Sequence, residues 1–229
     1  MMTRKEFTKD NLRVRIFSDR KAMGDCAGQV AAEYLVALLR EKQEANVLFA
    51  AAPSQNETLA YLKNCKEIDW TRVNAFHMDE YIGLQADHPA GFGNFLRRNI
   101  FDALPFRSVN LINGNAANIE EETKRYAELL RTHPLDMTLM GVGENGHIAF
   151  NDPPVADFND PLAVKTVELE EICRRQQVND GCFPALSDVP THAVTVTIPA
   201  ILKAGLLVCS VPGATKARAI KDMLEGDIT

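Results

Sequence analysis

The sequence predicts an α/β fold built on a largely parallel sheet with helices on both faces. Short apolar runs alternate with longer amphipathic stretches along most of the chain, which is the rhythm of βαβ units. The run Asn46–Ala52 (NVLFAAA) is apolar on both of its alternating faces, as a strand covered on both sides must be. Asp, Pro and other polar residues concentrate in residues 151–190, which are expected to be loops with a short insertion.

The elements follow in order. Leu12–Phe17 (LRVRIF) alternates as a strand. Ser18-Asp19 offers a cap, and Lys21 to about Gln43 reads as a helix with Val30, Leu35, Leu38 and Leu39 near one face. Asn46–Ala52 is the next strand, and Pro53-Ser54 starts a helix to about Lys63. Val73–Met78 is a strand, Phe92–Phe101 a helix, Val109–Ile112 a strand, Ile119–Leu130 a helix and Leu135–Val142 a strand. Val164–Leu169, Ala193–Val196 and Leu206–Val211 are later strands, and Lys216–Leu224 is a closing helix. The absence of a repeat or linker predicts one domain over residues 1–229, Rossmann-like in its alternation.

Composition excludes several classes. Lys and Arg number 25 against 31 Asp and Glu, for a net charge of −6, the opposite of the basic balance expected of a nucleic-acid binder. No stretch approaches the roughly 20 apolar residues of a membrane span, and the N-terminus has no apolar core of a signal peptide. Five scattered cysteines without a CxxC argue against a disulfide framework or a zinc site and for a reducing cytoplasm.

In a parallel α/β sheet, ligands bind beyond the carboxyl ends of the strands, so the residues just after each apolar run are the candidates. After Phe76-His77-Met78 comes the pair Asp79-Glu80. Strand side chains alternate, so one carboxylate can enter a cleft while the other bonds supporting backbone. The bland alternative is a turn cap beside a solvated glutamate. After Leu135–Met140 comes Gly141-Val142-Gly143-Glu144-Asn145-Gly146-His147. Its glycines allow close backbone approach and can present N–H groups to a phosphate. The spacing is GxGxxG, but no acidic strand end follows about 20 residues on, so it is not the dinucleotide fingerprint. His147 lies two residues from Asn145 and five from Asp152, and an imidazole oriented by an amide and a carboxylate suits acid–base work. A loop histidine bonded to backbone is the alternative. After Val211-Pro212-Gly213, Thr215 can cap and Lys216 begins a helix, a place that attracts phosphate. In Ala50–Glu57, small residues precede Ser54 and Gln55, where capping alone would explain the serine. The run Glu168, Glu170, Glu171, Arg174, Arg175 reads as a solvated charged stretch.

Together these segments resemble the glucosamine-6-phosphate deaminase/isomerase family. The match rests on MDEYIGL (Met78–Leu84) and GVGENGHIAFNDP (Gly141–Pro153), with ATKA (Ala214–Ala217) and Glu225-Gly226 agreeing in position. In the related 6-phosphogluconolactonases, a threonine would be expected in place of Ile148. The resemblance implies that His147 opens the sugar ring, Asn145 and Asp152 orient it, and Asp79 moves a proton from C2 to C1. It further implies that Lys216, Ser54, Gln55, Gly141 and Glu80 bind substrate and its phosphate, with no metal or organic cofactor. The implied product is fructose 6-phosphate, with loss of ammonia. The implied partner is a small sugar phosphate, not nucleic acid or membrane; homo-oligomer formation is left open.

This chain departs from the family pattern in places. Pro53-Ser54-Gln55-Asn56 stands where a Gly-Gly pair is common, and Asp152 where glutamate is usual. The arginine expected near Arg174–Phe183 has no clear counterpart: Arg174 and Arg175 are candidates, and Gln176 or Gln177 are possible replacements. The resemblance also implies a further C-terminal stretch beyond Thr229. Two other readings stay open: an isomerase, deaminase or lactonase for a different sugar phosphate, and a sugar-phosphate sensor without turnover. A DNA-binding sensor would need more than the roughly 11 residues before the first strand.

Overall fold

The computed structural model describes residues 3–227. Its strands and helices run β1 (Thr3–Lys9), β2 (Leu12–Phe17), α1 (Arg20–Glu41), β3 (Ala45–Phe49), α2 (Asn56–Asn64), β4 (Val73–His77) and β5 (Asp79–Tyr81). They continue α3 (Phe92–Asn99), β6 (Ser108–Asn110), α4 (Ile119–Thr132), β7 (Met137–Met140), β8 (Val164–Glu168) and α5 (Glu171–Asn179), then β9 (His192–Val196), α6 (Ile198–Leu202), β10 (Leu206–Cys209) and α7 (Ala217–Glu225).

The expected parallel sheet is present, in the order β10-β7-β3-β4-β6. Strands β3, β4 and β7 are buried at every position, which is why apolar residues dominate their sequences. Alternate residues feed opposite faces. Val47, Phe49 and Ala75 pack with Leu35 and Leu39 of α1, Leu59 and Leu62 of α2, and Leu96 of α3. Leu48 and Phe76 pack with Tyr126 and Leu130 of α4 and Ile201 of α6. Each such side chain contributes about 1.5–3 kcal/mol by leaving water.

The sheet is smaller than expected. LRVRIF pairs only with β1, an antiparallel hairpin outside the main sheet. Thr3–Lys9 was not expected as a strand, because Arg4, Lys5, Glu6 and Lys9 put exposed charges on both of its faces. The late strands β8 and β9 join β5 in a separate antiparallel sheet ordered β5-β9-β8. Their apolar content marks them as strands but says nothing of direction. The 151–190 block holds β8 and an unexpected helix, α5. Asp19 caps α1 as expected, accepting from Ala22 N–H at 2.9 Å.

The two sheets meet at Met78. Its N–H donates to Phe49 of the parallel sheet at 3.3 Å, and its carbonyl accepts from Val196 of the antiparallel sheet at 2.8 Å. The chain therefore changes sheets one residue before Asp79. Strand order also reverses around β3, with β4 and β6 on one side and β7 and β10 on the other. A crevice beyond the carboxyl ends at such a point is where α/β folds bind ligands. None of the described helices is long and apolar enough to cross a membrane.

Candidate active site

A cavity of about 280 Å³ lies at this point. The ends of four parallel strands reach it: Ala50–Ser54 after β3, Met78 and Asp79 after β4, Gly141–Gly143 after β7, and Val211–Gly213, Thr215 and Lys216 after β10. Arg20, Phe92, His147, Ala149, Phe150 and α5 complete the wall.

Asp79 is 6% exposed and lines the cavity. Its carboxyl is pushed well above the ordinary value, first by burial and then by the adjacent Glu80. A carboxylate without water is a stronger base than one in solution. Glu80 faces the other way. It accepts N–H bonds from Tyr81 and Phe92 at 3.0 Å and from Gly93 at 2.9 Å, and so caps α3. Glu80 does not line the cavity. Its expected place among the substrate-binding residues is corrected: alternation along β5 sends it to the backbone, and burial raises its pKa against those three bonds.

His147 sits on the turn after β7. Its Nδ1 lies 2.6 Å from Asn145 Oδ1 and 3.2 Å from Asp152 Oδ1. Asn145 Nδ2 donates to the same Asp152 oxygen at 2.8 Å. Two oxygen acceptors facing Nδ1 place the ring proton there, which leaves Nε2 as the basic position. Burial disfavours charge on Asp152, but the hydrogen bonds from His147 and Asn145 outweigh it and hold the carboxyl below its usual value.

The glycine loop makes this possible in a different way from that expected. Gly143 N–H donates to His147 O, Gly146 N–H to Gly143 O, and Glu144 N–H to Gln176 Oε1. Those three N–H groups are committed within the protein and do not point at a phosphate. A Cβ on Gly143 would lie 2.2 Å from His147 Cε1, so glycine is what lets the imidazole fold over the chain. Ala149 is held at φ +52° beside the same cavity, a costly conformation for a residue with a Cβ.

The turn is tied to Asp79 through β9. Thr195 stands opposite Asp79 in the antiparallel register. Its hydroxyl oxygen accepts from Phe150 N–H at 3.2 Å. Asn151 Nδ2 donates to Ile148 O and Val196 O, each at 2.9 Å. The acid–base histidine and the buried carboxylate are thus mounted on one strand.

Lys216 also lines the cavity; it is 8% exposed, and its Nζ has no hydrogen-bond partner among the described residues. Glu144 Oε1 is 3.7 Å away. Lys216 ends a short 3-10 turn before α7 rather than starting the helix, and Thr215 lines the cavity without capping it. Ser54 and Gly141 also line the cavity, and Ser54 makes no capping bond. Gln55 is fully buried behind them, with Nε2 donating to Met140 O at 2.9 Å and to Ser54 Oγ at 3.2 Å. It braces the wall and does not line it.

The charged stretch at 168–175 is largely solvated, as expected, with Glu168, Glu171 and Arg175 exposed, but it is helical from Glu171 on. Helix α5 turns Gln176 and Gln177 into the cavity. Arg174 donates to the carbonyls of Leu186 and Val189, and Arg175 pairs with Glu171. Neither arginine reaches the cavity. Arg20 does. Its place in the first turn of α1 gave no signal in a linear pattern.

His147 Nδ1, Asp152 and Cys173 Sγ have ligand atoms within 4.8 Å of one another, the donor chemistry of a metal site. Here Nδ1 and Asp152 Oδ1 are already engaged with Asn145.

A buried carboxylate, an oriented imidazole and a buried lysine lining one cavity define an acid–base site for an anionic ligand on a parallel α/β sheet. The family is set by direct comparison. The sequence model described as glucosamine-6-phosphate isomerases/6-phosphogluconolactonase matches residues 18–228, and the chain belongs to that family. It is 36% identical over 199 residues to a glucosamine-6-phosphate deaminase of Bacillus cereus, covering 87% of this chain and 74% of the relative. It is 40% identical over 161 residues to one from another Bacillus cereus strain, covering 70% and 60%; this chain therefore matches less than two thirds of that relative's length. A monomeric glucosamine-6-phosphate deaminase superimposes with TM-score 0.83 at 28% identity, over 93% of this chain and 87% of that one. A 6-phosphogluconolactonase from Thermotoga maritima superimposes with TM-score 0.71 at 19% identity, over 90% and 87%, and shares the fold.

Proposed function

We propose that residues 1–229 act as one cytoplasmic sugar-phosphate isomerase/deaminase domain, converting glucosamine 6-phosphate and water to fructose 6-phosphate and ammonia. The observation that carries this reading is that Asp79, the His147–Asn145–Asp152 chain and the unpartnered Lys216 converge on one cavity. The 36–40% identical relatives named for this activity support it.

The chemistry follows from the placement. His147 Nε2 takes the C1 hydroxyl proton as the ring C1–O bond breaks, and returns it to the ring oxygen. Asn145 and Asp152 hold the imidazole in the tautomer that can do so. Asp79 then removes the C2 proton as a proton of the substrate's amino group passes to O1, giving an enolamine, and delivers the C2 proton to C1. The resulting C2 imine adds water and expels ammonia. One carboxylate can serve two adjacent carbons because both lie within reach of a single buried oxygen pair. Lys216 and Ser54 hold the phosphate.

Purified protein is tested with glucosamine 6-phosphate and, separately, with 6-phosphogluconolactone. Equimolar ammonia and fructose 6-phosphate from the first, with little lactone hydrolysis, is expected. Lactone hydrolysis without ammonia release would replace this reading with the lactonase one.

A further inference from the structure

A phosphate monoester carries close to two negative charges at neutral pH, and the cavity must balance them. Lys216 supplies one positive charge, partly offset by Glu144 at 3.7 Å. Gln176 and Gln177 are neutral, and Arg174 and Arg175 are turned away. Among the residues lining the cavity, the other Lys or Arg is Arg20.

Arg20 is held in place before any ligand arrives. Nε and Nη2 donate to the two carboxylate oxygens of Glu57 at 2.8 and 3.0 Å, and Nη2 also donates to Pro53 O. A guanidinium has five N–H donors in a rigid fork. These bonds use Nε and Nη2, and Nη1 has no protein partner among the described residues. The closeness of α1 and α2 sets this geometry: a Cβ on Gly24 would lie 2.2 Å from Glu57 Cβ. Pro53 leads directly to Ser54, whose Oγ would be 3.1 Å from a Cβ on Gly141. Arg20 and Ser54 therefore border one part of the cavity, which Lys216 also lines.

We infer that Arg20 is a phosphate-binding residue, donating through Nη1 to the anionic end of the sugar phosphate while Glu57 holds the guanidinium in position. The inference deepens the sugar-phosphate reading and rests on it. It places one of the two cations on the first helix and not on α5.

Isothermal titration of the full chain with inorganic phosphate tests it without requiring turnover. The wild type is expected to bind, Arg20→Gln to bind about tenfold or more weakly, and Arg20→Lys to fall between them. Glu57→Gln keeps one acceptor oxygen for the guanidinium, so it is expected to weaken phosphate binding less than Arg20→Gln does. Arg20→Gln titrating like the wild type would overturn the inference, as would a wild type that does not bind phosphate. Glu57→Gln weakening as much as Arg20→Gln would also overturn it, because the clamp on Pro53 would then be what matters. Should Arg20→Gln unfold, the Arg20→Lys and Glu57→Gln comparison still decides. Arg20-dependent phosphate binding without ammonia release would retire the deaminase reading and leave this one standing.

Discussion

Asp79 and Glu80 are neighbours in sequence with opposite duties: Asp79 faces the cavity, while Glu80 takes three backbone N–H bonds at the start of α3. The alternation of a three-residue strand separates them, and β9 fixes which residue faces which way.

Asp79 is held at a cost to the fold. Its folded pKa lies above the ordinary 3.8 because of burial and Glu80. A raised pKa means that the folded state holds the proton more tightly, so stability is full below 3.8 and is lost as pH rises through the folded pKa. Asp79→Asn, which cannot ionise, is expected to melt at a higher temperature than the wild type at pH 8. The gap should narrow as pH falls toward 4. Scanning calorimetry across that range checks it; a lower melting temperature for Asp79→Asn at pH 8 would contradict it.

Glu80 is expected to matter for stability. Removing its carboxylate in Glu80→Ala strips the first N–H groups of α3 of their acceptor, at a cost of about 1–2 kcal/mol. Urea denaturation should show the midpoint shift. A variant as stable as the wild type would mean that water replaces the cap at no cost.

Gly143→Ala tests the seat of the imidazole. The added methyl would overlap His147, with Cβ to Cε1 at 2.2 Å, and the ring must swing away. Turnover is expected to fall about a hundredfold or more, since small misplacements at a reacting centre have effects of that size. The fold should survive, because the loop lies at the cavity and not in the apolar clusters. The far-ultraviolet circular dichroism spectrum and kcat, measured together, separate the two.

Much of the fold was legible. Strands β3, β4 and β7 are buried on both faces, so apolar residues dominate their sequences, most continuously in the run after Asn46. What escaped notice did so for physical reasons. Helix α5 buries Cys173, Gln176 and Gln177, and the two glutamines face a polar cavity, so no hydrophobic period marks it. The sheet that pairs Asp79 with Thr195 is antiparallel, and the composition of a strand does not encode its direction. Of the candidate site, Asp79, His147, Asn145, Asp152 and Lys216 stand at strand ends where the fold concentrates chemistry. Arg20 lies on a helix over 30 residues before Pro53, and only the packing of α1 on α2 brings it to the cavity.

The most direct measurement is ammonia and fructose 6-phosphate release from glucosamine 6-phosphate by the wild type and by Asp79→Asn, assayed side by side at saturating substrate. The account predicts equimolar products from the wild type and a loss of about a hundredfold to ten-thousandfold in the variant, the range typical of removing a positioned general base. Turnover by Asp79→Asn at the wild-type rate would contradict it.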